Sequence, residues 1–258
     1  MDAIIQSGQE RLTAYVAEPP VAEARPPVLI VCHGYPSDAL GSDAAARSHP
    51  ELADRIANEG WRVIVFTFRG CGESTGNFSL GGWLDDLLAV VDQVPTFGPT
   101  RGVWLAGFGT GGGLCVSAAA ARPDNVCGVA TMGTPADFSD WASHPRRLLA
   151  HARQIGVITD PAYPPVLDRW TRQLKEIRPV DGAAEISDAP LLVLHGSEDE
   201  TVPSIDARVL ADAHGSADLR IVPGAAHDLR NDPRAIAILL GWLDRQRHSA
   251  RSNGESGA

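Results

Sequence analysis

The 258-residue sequence predicts an α/β fold, with a mostly parallel central sheet and helices on both faces. Three observations carry this. Val28-Leu29-Ile30-Val31-Cys32 is an unbroken apolar, largely β-branched run, which suits a strand buried on both faces. Comparable runs recur along the chain, separated by segments with helical spacing. Strands that alternate with helices imply right-handed crossovers and parallel pairing.

The elements follow in order. Residues 3–6 and 11–17 read as a hairpin turned at Ser7-Gly8, and a Pro-rich connection leads to the strand at 28–32. A helix fits 47–59, where Leu52, Ile56 and Ala57 share a face and Gly60 marks the stop. Then come a strand at 61–68, a helix at 83–94, a strand at 103–106, a small-residue helix at 111–121 and a strand at 126–132. After an insertion, 191–194 is a strand, 204–213 a helix, 219–222 the last strand and 233–247 the last helix. One domain over 1–247 accounts for these elements. The insertion, about 134–187, reads as a small, mainly helical cap. Between Trp141 and Arg178 it holds seven basic and three acidic residues. The polar stretch 248–258 reads as a disordered tail.

Composition narrows the function classes. There are 22 basic and 32 acidic residues, a net charge of −10, which argues against nucleic acid or an anionic membrane as the main partner. Four scattered cysteines suit neither a disulfide framework nor a zinc site. No apolar run approaches the roughly 18 residues of a membrane span, and no signal peptide is visible. The expectation is a cytoplasmic protein with a small-molecule ligand or substrate and no metal or organic cofactor; the sequence leaves the oligomeric state open.

In an open α/β sheet, ligands bind beyond the carboxyl ends of the strands. Those ends carry His33-Gly34-Tyr35-Pro36, Arg69-Gly70-Cys71-Gly72-Glu73-Ser74, Gly107-Phe108-Gly109-Thr110-Gly111, Gly196-Ser197-Glu198-Asp199 with Val202-Pro203, and Pro223-Gly224-Ala225-Ala226-His227. This set, in this order, resembles the α/β-hydrolase family, over about the whole chain. The resemblance implies an oxyanion hole from the backbone N–H groups of Tyr35 and Thr110, Asp199 as the acid and His227 as the base. It also implies ester or amide hydrolysis of the kind seen in the esterase, acyltransferase and peptidase branches.

At the centre the sequence departs from the family. The nucleophile elbow is G-x-S-x-G, and here Gly109 stands at the serine position. With no side chain there, no acyl-enzyme forms. Ser37, Ser74 and Cys115 lack the elbow that presents a nucleophile to His227. The same segment also fits G-x-G-x-x-G through Gly107, Gly109 and Gly112, but no acidic residue follows the next strand, so dinucleotide binding is disfavoured. His33 and His195 read as braces for their loops. His49, His144, His151, His214 and His248 read as surface or cap residues, and no histidine pair has metal-ligand spacing. The expected function is a hydrolase-like protein that binds a small carbonyl or carboxylate ligand. The alternatives are an esterase or amidase, or an enzyme that uses the Asp199–His227 dyad without a covalent step.

Overall fold

The computed structural model describes residues 1–36 and 49–255, with the side chains of residues 49 and 250–255 outside that description. Its strands are β1 (Asp2–Ser7), β2 (Glu10–Ala17), β3 (Val28–Cys32), β4 (Arg62–Phe66), β5 (Val103–Phe108), β6 (Val126–Met132), β7 (Leu191–Gly196) and β8 (Asp218–Val222). They form one sheet in the order β1-β2-β4-β3-β5-β6-β7-β8. The pairs β1/β2 and β2/β4 are antiparallel and the others parallel.

Strand β3 is buried at every position. Its alternate residues serve two cores: Val28, Ile30 and Cys32 on one face, Leu29 and Val31 on the other. The first core is covered by α2 (Leu80–Gln93), α3 (Thr110–Ala121), α8 (Ser204–His214) and the insertion, and the second by α1 (His49–Ala57) and α9 (Pro233–Glu255). Strand order reverses at β3, which pairs with β4 on one side and β5 on the other. In open α/β sheets such a switch point, at the carboxyl ends of the strands, is where ligands bind.

Several boundaries differ from the sequence pattern. Helix α2 starts at Leu80, three residues early, because Ser79 Oγ accepts the Gly82 N–H at 3.0 Å and caps it. Helix α9 runs to Glu255, past the expected end at 247, so residues 248–255 continue a helix rather than forming an irregular tail. The insertion holds four helices: α4 (Ser139–Ser143), α5 (Pro145–Gln154), α6 (Leu167–Glu176) and α7 (Pro179–Glu185). Of these, α7 packs on α3 and α8 and so belongs with the body. The others lie against the segment before α2: Trp170 Nε1 donates to the Phe78 carbonyl at 3.1 Å, and the Phe78 N–H donates to the Val157 carbonyl at 2.8 Å.

The turn after β4 is held by a buried ion pair. Asp86 is fully buried on α2 and accepts the Arg69 backbone N–H at 2.9 Å and the guanidinium at 2.6–3.1 Å. Arg69 Nη2 also reaches Ser7 Oγ on β1 at 3.2 Å, so three elements meet there. Removing one partner of a buried pair leaves the other charge uncompensated. Urea denaturation of Asp86→Ala is expected to show a loss of about 3–5 kcal/mol, against about 1 kcal/mol for Ser7→Ala.

Candidate active site

Strand β5 ends at Phe108, and α3 begins at Thr110. The residue between them, Gly109, has φ 51° and ψ −123°, a conformation an L-residue holds only under strain. The elbow is fixed by backbone packing. A Cβ on Gly111 would lie 2.3 Å from the His33 carbonyl oxygen, and one on Gly107 would lie 2.5 Å from Gly111. At Gly109 itself there is room: a Cβ would meet His227 Nε2 at 3.5 Å and the Gly34 Cα at 3.8 Å. The geometry of a nucleophile elbow is present, aimed at His227, without a side chain to carry a nucleophile.

His227 follows β8, and its Nδ1 lies 2.8 Å from Asp199 Oδ2. Asp199 follows β7, and its side chain is fully buried, whereas that of His227 is 36% exposed. Asp199 Oδ1 accepts the N–H groups of Thr201 at 2.9 Å and Val202 at 2.8 Å. With the carboxylate held this way, His227 donates from Nδ1 and turns Nε2 toward the elbow as an acceptor. Gly133, at the end of β6, allows this placement, since a Cβ there would sit 3.3 Å from His227 Nδ1.

The turn after β3 forms the other wall. His33 Nδ1 is 2.7 Å from the Gly34 carbonyl, and its Nε2 accepts the Phe68 N–H at 3.1 Å. The amide donor at Nε2 places the ring proton on Nδ1. The ring is packed edge-on against Phe68 and Trp83. Gly34 presses on the elbow, where a Cβ would lie 3.0 Å from the Phe108 carbonyl oxygen. The half-buried Tyr35 places its ring 5.0 Å from those of Phe78 and Trp141 and 5.7 Å from that of His151, so the insertion lies directly on this turn. Thr110 opens α3, where the first N–H groups have no acceptor within the helix.

The structure therefore brings Gly109, Asp199 and His227 together, flanked by Tyr35 and Thr110. The other nucleophile candidates lie elsewhere. Ser74 is buried in a hydroxyl network: it donates to the Thr67 carbonyl at 2.7 Å, lies 2.7 Å from Thr67 Oγ1 and accepts the Thr13 N–H at 2.9 Å. Cys115 is fully buried inside α3. Ser37 lies outside the described residues. His214 is not a surface residue: it is 3% exposed, and its Nε2 donates to the Ala189 carbonyl at 2.9 Å. His195 braces its loop, with Nε2–H donating to the Val202 carbonyl at 2.9 Å. Its Nε2 lies 3.2 Å from Asp199 Oδ2, and the i, i+4 spacing on a loop was the available signal. Among the described residues, no group of three or more His, Cys, Asp or Glu could hold a metal, and no helix is long and apolar enough to cross a membrane.

With this geometry established, the chain can be set beside known proteins. It is similar to human protein ABHD12B, with 29% identity over 180 residues; the match covers 69% of this chain but only 47% of that protein. It is similar to the human mitochondrial palmitoyl-protein thioesterase ABHD10, with 27% identity over 233 residues, covering 86% of this chain and 73% of the relative. Among solved structures it resembles Est1E from Butyrivibrio proteoclasticus, with a TM-score of 0.74 at 20% identity over 97% of this chain and 99% of the other. Residues 27–157 match the family model for the alpha/beta hydrolase fold. The chain belongs to the α/β-hydrolase fold family.

Proposed function

We propose that this protein binds a small carbonyl or carboxylate compound at the elbow and does not act on it through an acyl-enzyme. One observation carries the reading: Gly109 holds the strained elbow geometry 3.5 Å (from its would-be Cβ) from His227 Nε2, yet supplies no nucleophile. What stands around that position suits a polarised carbonyl. The Tyr35 and Thr110 N–H groups form the oxyanion pocket, and His227 Nε2 faces it as a proton acceptor. In a serine hydrolase, losing the nucleophile lowers kcat by about 10⁶-fold and leaves roughly 10³–10⁴ over water. The site is then a binding site with weak residual chemistry. ABHD10, a relative at 27% identity, is a palmitoyl-protein thioesterase, which supports an acyl-type carbonyl as the ligand class.

A second reading is favoured by the completeness of the dyad. Asp199 is buried and hydrogen-bonded on both oxygens, and it fixes the tautomer of His227. Such a pair is a competent general base without any covalent step. His227 Nε2 would take a proton from a water in the space beside Gly109, or from a carbon next to the ligand carbonyl. The oxyanion N–H groups would hold the developing negative charge.

Two experiments test these readings. In a short-chain activated ester assay, the protein is expected to show no burst and turnover near background, and Gly109→Ser to gain at least about 10³-fold, within the range a serine nucleophile contributes. Gly109→Ser with no gain overturns the hydrolase-derived reading of the site. In a thermal-shift screen of small carboxylates and ketones, a ligand at about 100 times its Kd stabilises the protein by about 2.7 kcal/mol. That shift is expected to disappear when Gly109→Trp fills the pocket. Turnover of any compound that persists unchanged in His227→Ala rules out the dyad as its base.

A further inference from the structure

The buried imidazole of His195 stands behind the acid of the dyad. It closes β7, four residues before Asp199, and both side chains are fully buried. Its Nε2 lies 2.9 Å from the Val202 carbonyl oxygen and 3.2 Å from Asp199 Oδ2. The hydrogen bond goes to the Val202 carbonyl, which requires Nε2 to carry the proton, and the Asp199 oxygen beside it is an electrostatic contact of the same N–H. The other nitrogen, Nδ1, is buried and has no hydrogen-bond partner among the described residues. A desolvated acceptor without a donor is a cost that an apolar ring of similar size avoids. The imidazole is therefore held there for its Nε2–H.

We propose that His195 is a positioning residue for the dyad, a second imidazole on the Asp199 carboxylate that locks the acid in the plane His227 needs. The inference deepens the reading of Asp199–His227 as the working pair and rests on it. Without His195, Asp199 Oδ2 has His227 alone, while Oδ1 has the Thr201 and Val202 N–H groups. With it, residue Val202 is gripped from two sides: its N–H donates to Asp199 Oδ1, and its carbonyl accepts from His195. Rotation of the carboxylate about Cβ–Cγ then breaks the Thr201, Val202 and His195 contacts together. The imidazole of His227, more than a third exposed, takes its orientation from this one anchored carboxylate.

Nitrogen NMR of the ¹⁵N-labelled protein near neutral pH tests the proposal without any mutation. His195 is expected as the neutral tautomer protonated on Nε2; a proton on Nδ1 overturns the proposal, because Nε2 then has none to share. Exchange of the His227 Nδ1 proton with solvent gives the second readout. In His195→Phe it is expected to speed up about tenfold, the effect of losing the hydrogen bond that holds Val202, and through it Asp199, in place. In His195→Gln, whose side-chain N–H can reach the same oxygens, it is expected to stay near the original rate. A folded His195→Phe whose His227 proton exchanges as slowly as in the parent overturns the positioning role and leaves a loop brace. If His195→Phe does not fold, the tautomer decides. A His227 proton bridged to Asp199 in a protein that turns over no substrate refutes the catalytic reading of the dyad while leaving the placement of His195 intact.

Discussion

The site depends on backbone packed directly on backbone where β3 and β5 end. Glycine at 107 and 111 lets the first turn of α3 close against the end of β5 and the His33 carbonyl, with no room for a Cβ at either place. Glycine at 34 lets the turn after β3 rest on the Phe108 carbonyl. Everything that faces the ligand is referred to this contact. It sets where the Thr110 and Tyr35 N–H groups lie, and it sets the point at which His227 is aimed.

This constraint separates scaffold from chemistry. The packing that makes the elbow uses the glycines on either side of position 109 and owes nothing to a side chain at 109 itself. Glycine at 109 adopts the positive φ without the strain a side chain would bear. The elbow can therefore persist with its chemistry gone. The acid–base pair is a different matter. Asp199 is a buried carboxylate, and a buried charge is tolerated only when its oxygens are hydrogen-bonded. Its donors come from two sources, its own loop and His227. Loss of any of them leaves a desolvated charge short of a partner, so the fold itself favours keeping the dyad whether or not it turns anything over.

The fold was legible in the sequence wherever the signal was local. The central parallel strands are largely apolar runs, and β3 and β5–β7 lie where those runs do, whereas the edge strand β8 is interrupted by Arg220. Glycine turns at the strand ends pointed to the crevice, and the geometry places Gly109, Asp199 and His227 around it. What was hidden is long-range. The Thr13–Thr67–Ser74 hydroxyl network joins residues more than fifty positions apart, and no periodicity marks it. Helix α7 lies within the insertion in sequence but packs on the body, as the contacts of Pro179 with Gly113 and of Gly182 with Val116 reveal. Ser79 was obscured as a cap because Gly81 and Gly82 made the start of α2 look like loop. His195 braces its loop through the Val202 carbonyl, and its 3.2 Å approach to the Asp199 carboxylate is a contact that sequence spacing alone does not reveal.

We propose a hydrolase-type site that is complete except for the nucleophile at position 109. Intact-mass spectrometry after exposure to a serine-directed phosphonate tests it most directly, on the parent protein and on Gly109→Ser. The account predicts an unmodified parent and one stoichiometric adduct at position 109 in the variant, lost again when His227→Ala is added. A folded Gly109→Ser that takes up no phosphonate would contradict it, because the elbow, the base and the oxyanion donors would then not converge on one point.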